Sequence, residues 1–124
     1  MRRTLLRIPA ATKHIDRQAA EAWARRARSK HCVVCGKPHA KGHHIITQQQ
    51  LRKTAESEGL DYRRLRWDQR NLLPLCERCH VRHHSRIAPV PLAVILTEAP
   101  KVLQLARELG IEWYLSREYP TRPR

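Results

Sequence analysis

Cys32-Val33-Val34-Cys35-Gly36, then Gly42-His43-His44-Ile45-Ile46, then Arg70-Asn71-Leu72-Leu73-Pro74-Leu75 and Cys76-Glu77-Arg78-Cys79-His80-Val81-Arg82-His83-His84 follow one another in this chain, and their reading decides the fold. All four cysteines and six of the eight histidines fall between residues 32 and 84. One metal ion in a protein takes about four such side chains. The donors therefore divide into two sets, one of sulfur and one of nitrogen with room for chemistry.

The sulfur set is Cys32, Cys35, Cys76 and Cys79. Two Cys-x-x-Cys turns separated by a loop are a standard way to offer four thiolates to a structural zinc ion. Gly36, directly after Cys35, can take the positive φ that such a turn often needs. Other uses of the cysteines fit less well. Disulfides require an oxidising compartment, and Met1-Arg2-Arg3-Thr4-Leu5-Leu6-Arg7 has no apolar stretch of the length a secretory signal needs. Cys76-Glu77-Arg78-Cys79-His80 matches a haem-attachment pattern, but that leaves the other pair unexplained and Met1 as the only methionine for an axial position. A thioredoxin-like redox pair needs a βαβ context that neither turn has.

Length and charge narrow the class. A chain of 124 residues with no Phe and 5% aromatic residues suggests a single domain (1–124) with a modest core, which a metal staple would supplement. The 25 Lys and Arg against 11 Asp and Glu give a net charge of +14 and a pI near 10.8. The expected partner is a polyanion, and nucleic acid first, because arginine binds phosphate bidentately and binding releases counterions. The longest apolar run, Leu92 to Leu96, is too short to span a bilayer. These features point to an intracellular, cytoplasmic protein acting without a membrane.

The organisation follows in three parts: a basic arm and helix (1–30), the two turns and the strands between them (31–86), and a helical brace (87–124). Residues 1–12 read as a mobile arm or a strand. Ile15, Ala19, Trp23 and Ala27 recur every four residues and predict an amphipathic helix over 16–28 with Asp16 as its cap. Lys41 to Ile46 and Leu72 to Leu75 read as strands. The insertion between them (47–66) holds a helix capped by Thr47 and stopped by Gly59, followed by an arginine-rich return over 60–70. A helix begins in the second cysteine turn and runs through His84, with Arg78, Arg82 and Arg86 on one face and Pro89 and Pro91 as its stop. In the tail one helix stands out, Lys101 to Leu109, ended by Gly110. His14, His31 and His39 carry no motif and read as surface residues.

Strand, returning strand and helix thus make a small α+β unit of β-β-α type. The residues that fill it resemble the HNH endonuclease family, in its subgroup with four zinc-binding cysteines, the type found in phages and mobile elements. The resemblance covers residues 32 to 84 and rests on Gly42-His43-His44-Ile45-Ile46, Arg70-Asn71-Leu72-Leu73-Pro74-Leu75-Cys76 and Cys79-His80. It implies a ββα-metal core that hydrolyses double-stranded DNA with one catalytic divalent ion. Carried over by position, His44 is the general base, an imidazole being suited to that role by its near-neutral pKa. His43 faces the ion, Asn71 holds the backbone across the hairpin, and His80 is the helix ligand. His84, one turn beyond His80, completes the set, with His83 as its substitute. The ion is magnesium, manganese, nickel or zinc, and the products carry a 5′ phosphate and a 3′ hydroxyl. Arg63, Arg64, Arg66, Arg70, Arg78, Arg82 and Arg86 are the candidate DNA contacts, and a phage packaging or recombination machine is a candidate partner.

Two features depart from the family pattern. The 26 residues between His44 and Asn71 exceed a simple hairpin loop, and Ile45-Ile46-Thr47 stands where many relatives carry a proline. A different class of function, a non-catalytic zinc-ribbon nucleic-acid-binding module or adaptor, accounts for the cysteines and the charge. It leaves His43, His44, Asn71, His80 and His84 unexplained.

Overall fold

The computed structural model describes residues 10–121, with side chains from Asp16 onward. The architecture is α+β: seven α-helices and one two-stranded antiparallel sheet among the described residues. Helix α1 (Ala10–Arg28) precedes strand β1 (Lys41–His44). Helices α2 (Gln48–Glu58) and α3 (Tyr62–Arg66) and a 3₁₀ turn at Gln69–Asn71 lead to β2 (Leu72–Leu75). Helix α4 (Glu77–His84) follows, and α5 (Leu92–Glu98), α6 (Lys101–Glu108) and α7 (Glu112–Glu118) complete the chain.

Residues 1–9 of the expected arm lie outside the described residues, whereas 10–12 open α1, extending the expected helix upstream. Ala10 and Ala11 are strong helix formers, which accounts for the extension. Asp16 consequently sits inside α1 and caps nothing. Its carboxylate instead accepts from Arg66 Nη2 at 2.7 Å and Trp67 Nε1 at 3.0 Å. Trp23 and Ala27 bury the apolar stripe of α1 against Leu72 and Trp67. Gly42 allows that contact: a Cβ there would lie 2.3 Å from Trp23 Nε1 and 2.8 Å from Leu72 Cδ1. Any side chain at residue 42 would push the helix off the sheet.

β1 ends at His44, two residues short of the expected strand, and pairs with β2 in the register Lys41↔Leu75, Gly42↔Pro74, His43↔Leu73 and His44↔Leu72. Asn71 continues the pairing where the ladder stops. Its Oδ1 accepts from Ile46 N at 2.7 Å, its Nδ2 donates to Ile46 O at 2.9 Å, and its carbonyl accepts from Ile45 N at 3.1 Å. The side chain is fully buried, so these bonds meet needs that water cannot.

The insertion folds as the turn chemistry dictates. Thr47 Oγ1 accepts from Gln50 N at 3.2 Å, and Gly59 closes α2 in the left-handed region. Where the sequence reads as a plain return, α3 forms, capped by Asp61, whose side chain accepts from Arg63 N. Helix α4 stops earlier than Pro89. Ile87 N bonds Arg82 O at 3.0 Å and Arg86 N bonds His83 O at 3.1 Å, with Arg86 at φ 65°, which is a Schellman ending without the usual glycine. Arg86 therefore lies off the Arg78–Arg82 face.

The tail holds three helices where sequence periodicity marks one. Pro91 and Pro100 immediately precede α5 and α6, positions where proline's fixed φ suits a helix start. The run Leu92-Ala93-Val94-Ile95-Leu96 is apolar all round, so periodicity cannot reveal it. Ile95, Val102, Leu105, Tyr114, Leu115 and Tyr119 join Ile45, Ile46, Leu51, Leu73 and Leu75 in the main core. Leu92 N bonds Pro120 O at 2.8 Å, returning the tail to the start of α5. No described helix is long and apolar enough to cross a membrane.

Candidate metal centre and adjoining cleft

Two ligand clusters lie at the two ends of the hairpin and α4. In the first, the sulfurs of Cys32, Cys35, Cys76 and Cys79 all lie within 4.8 Å of one another, and the group could hold a metal ion. The first turn is closed by Gly36 N to Cys32 O at 2.9 Å and tied to β2 by Val33 N to Pro74 O at 3.1 Å. Gly36 has φ 79°, the conformation glycine is needed for. Cys76 caps α4 with its sulfur, accepting from Cys79 N at 3.4 Å. Burial raises the Cys32 thiol, yet backbone donors at Cys35, Cys76 and Val34 outweigh it and bring Cys32 down to about 6. Burial and the neighbouring thiols push Cys79 up to about 12. Four thiolates so close repel one another, and a cation resolves the repulsion.

The second cluster is His43, His80 and His84, whose ring nitrogens also converge within 4.8 Å. His43 comes from β1, while His80 and His84 stand one turn apart on α4 with their Nε2 atoms 2.9 Å apart. Burial, reinforced by His83, His80 and His84, pushes His43 down to about 2. Burial and His84 lower His80 as well. Three imidazole nitrogens converging on one point are a donor set that fits a divalent cation. His83 is placed elsewhere. Its Nδ1 accepts from Val90 N at 2.9 Å and its ring stacks on Tyr119 at 5.3 Å, so it anchors the turn after α4, and His84, not His83, completes the cluster.

His44 leaves β1 on the side of α1. Its ring stacks on Trp23 with centroids 4.4 Å apart and is flanked by Trp67 at 5.5 Å. His44 Nε2 lies 2.8 Å from Arg66 O. A carbonyl only accepts, so Nε2 carries the hydrogen and Nδ1 keeps the lone pair. Burial lowers the His44 pKa from its ordinary value, with the Arg66 carbonyl opposing.

No protein-family model, no curated protein and no solved structure matches this chain. What the site can do rests on its own atoms. A cleft of about 510 Å³ is lined by His43, His44, His80 and His84, with Trp23 and Trp67 beside them, Ala20 and Ala24 along α1, and Arg28 and Lys41 supplying positive charge. The three-histidine cluster and the His44 ring thus line one space.

The arginines divide into two groups. Arg66 pairs with Asp16 at 2.7 Å, and Arg70 pairs with Asp68 at 2.8 Å and Glu108 at 2.9 Å. Arg86 lies 3.5 Å from Glu118 and Arg64 3.8 Å from Asp61. Arg63, Arg78 and Arg82 have no acidic partner among the described residues, and Arg78 is exposed. His31 and His39 are exposed, and the His14 side chain lies outside the described ones.

Several supporting residues carry no motif. Asp16, Trp23 and Trp67 hold the wall around His44, and Tyr119 reaches the histidine cluster from the tail. Alternation in β1 suggests that its two histidines part company. Nothing local in the sequence marks a partner so distant along the chain.

Proposed function

We propose that this chain is a metal-dependent endonuclease of ββα-metal type, similar to HNH enzymes, that hydrolyses phosphodiester bonds of double-stranded DNA. One observation carries the reading: the three-histidine cluster and His44, whose Nε2 is held by Arg66 O, line one cleft walled by Arg28 and Lys41. The net charge of +14 supports a polyanionic substrate.

His43, His80 and His84 would hold the divalent ion, and Cys32, Cys35, Cys76 and Cys79 a structural zinc ion. Such an ion, magnesium, manganese, nickel or zinc, would supply charge stabilisation to the phosphate and the departing oxygen when bound. His44 Nδ1 takes a proton from a water molecule, and the resulting hydroxide attacks phosphorus. The P–O3′ bond breaks, leaving a 5′ phosphate, and the 3′ oxygen takes a proton from solvent. Arg66 O keeps His44 in the tautomer this requires, and the Trp23 stack fixes the plane of its ring. Asn71 keeps β1 and β2 in register beneath both histidines and moves no proton.

Conversion of supercoiled plasmid to nicked or linear DNA tests the reading. Wild-type protein should cut with an added divalent metal and fail with EDTA. His44→Ala should be slower by about 10²–10⁴-fold, with zinc content and DNA binding unchanged. Equal DNA binding with no cutting by wild type under any of the four metals would instead leave a binding module or adaptor.

A further inference from the structure

Tyr119 follows α7 and is almost wholly buried, at 2% exposure. Its oxygen lies 2.9 Å from His43 Nε2 and also bonds Ile45 O. The Ile45 carbonyl can only accept, so the phenolic hydrogen goes to it. The phenol oxygen is then an acceptor, and His43 Nε2 must be the donor. A neutral imidazole has one hydrogen, which leaves the lone pair on Nδ1. The opposite tautomer would set two lone pairs against each other at 2.9 Å, or turn the hydroxyl away and strand the Ile45 carbonyl.

We propose that Tyr119 is a positioning residue that fixes His43 as the Nε2–H tautomer and so presents Nδ1 to the ion shared with His80 and His84. The inference rests on the three-histidine cluster being a metal site and is independent of what the ion then does. Tyr119 is itself held in place. His83 stacks on its ring with an interplanar angle of 12°, and Leu92 N grips the carbonyl of the next residue, Pro120, at 2.8 Å. The ligand on β1 is thereby oriented by the last helical segment of the tail. A packing role alone would need only the bond to Ile45 O; the second contact, to His43, is what the packing role leaves unexplained. Partners of metal-bound histidines typically change metal affinity by about 10–100-fold when removed.

The test uses the full chain with its cysteines zinc-loaded, as wild type, Tyr119→Phe, Tyr114→Phe and His84→Ala. Nickel(II) is titrated calorimetrically, and long-range ¹H–¹⁵N spectra report the histidine tautomers before nickel is added. Wild type should bind one nickel ion lost in His84→Ala, and its His43 should be the Nε2–H form. Tyr119→Phe, which keeps the ring and its stack, should bind nickel about 10–100-fold more weakly and show a mixture of His43 tautomers. Tyr114→Phe removes a hydroxyl from the same helix, bonded to Thr47 Oγ1 at 3.2 Å, and should change neither.

Unchanged affinity and tautomer in Tyr119→Phe would overturn the proposal. So would an equal loss in Tyr114→Phe, which would mean general loosening of α7. An Nδ1–H His43 in the wild type would overturn it without any variant having to fold. Nickel uptake that survives His84→Ala would remove the metal site itself, and the proposal with it, an outcome recognisable because the His43 tautomer would still read as Nε2–H.

Discussion

The sulfur and nitrogen clusters share the hairpin and α4 but are assembled differently. The four cysteines come from two tight turns, each shaped by a local bond, Gly36 to Cys32 and Cys79 to Cys76, and joined by Val33 N to Pro74 O. The three histidines come from a strand and a helix, and the imidazole on the strand is oriented by Tyr119, far along the chain. His44 beside them depends on Arg66 O, itself anchored through Asp16 on α1. A closed four-ligand set is a staple, whereas a three-ligand set facing a cleft leaves positions for substrate and water. One motif thus carries two separate donor sets, one closed on itself and one facing a cleft.

The largest effect should separate the two. Structural zinc is worth about 10–16 kcal/mol in small zinc domains, against a total stability of about 5–15 kcal/mol for a typical protein. Cys76→Ser should therefore abolish cooperative thermal unfolding, followed by circular dichroism and zinc content. His84→Ala, exposed at the cleft, should melt within a few degrees of wild type. A folded Cys76→Ser protein would break the comparison.

Acid should act first on the nitrogen half. His43 and His83 are held neutral in the fold, at about 2 and about 4, against 6.5 when unfolded. Between the folded and unfolded values the unfolded chain binds the extra protons, so stability is complete above pH 6.5 and declines as pH falls. Each such histidine contributes a slope of about 1.4 kcal/mol per pH unit. Urea unfolding across about one pH unit either side of the unfolded histidine pKa should show this fall before any metal held by the cysteines is released. A flat profile until zinc leaves would assign the acid sensitivity to the sulfurs instead.

Much of this division is readable from the sequence because its causes are local. Cys-x-x-Cys spacing, Thr47 as a cap, Gly59 as a stop and the i, i+4 pairing of His80 with His84 each act within a turn or so of chain. Asn71 is marked in the sequence only by the resemblance to the HNH family, directly before the second strand. The wall around His44 is not readable: Asp16 meets Arg66 and Trp67 only after α1 has packed on the sheet, and a carboxylate early in a helix looks like a cap. Helix α5 is apolar all round and α7 is only seven residues long, so periodicity reveals neither, and their formation follows from burial. Arginines look alike in sequence, and of the two acids that claim Arg70 only Asp68 is near it along the chain, while Glu108 becomes a neighbour only in the fold.

That last point sets the smallest effect. Arg78→Ala and Arg82→Ala should each lower the salt dependence of DNA binding by about one phosphate contact. Arg70→Ala should leave that slope unchanged and lower the melting temperature. Fluorescence anisotropy across a salt series distinguishes the three. Equal slopes for all three variants would mean that the ion pairs of Arg70 open on DNA.

The contact between Tyr119 and His43 has a consequence in time as well as in space. Synthesis delivers the fourth cysteine and the last histidine ligand well before residue 119. A nascent chain that has emerged only through α4 carries every donor of both clusters but lacks the hydroxyl that orients His43. On the ribosome, then, the four-cysteine cluster can form early while the three-histidine cluster waits for the tail, and a message truncated ahead of codon 119 would yield a polypeptide with every donor but no lock on the first histidine.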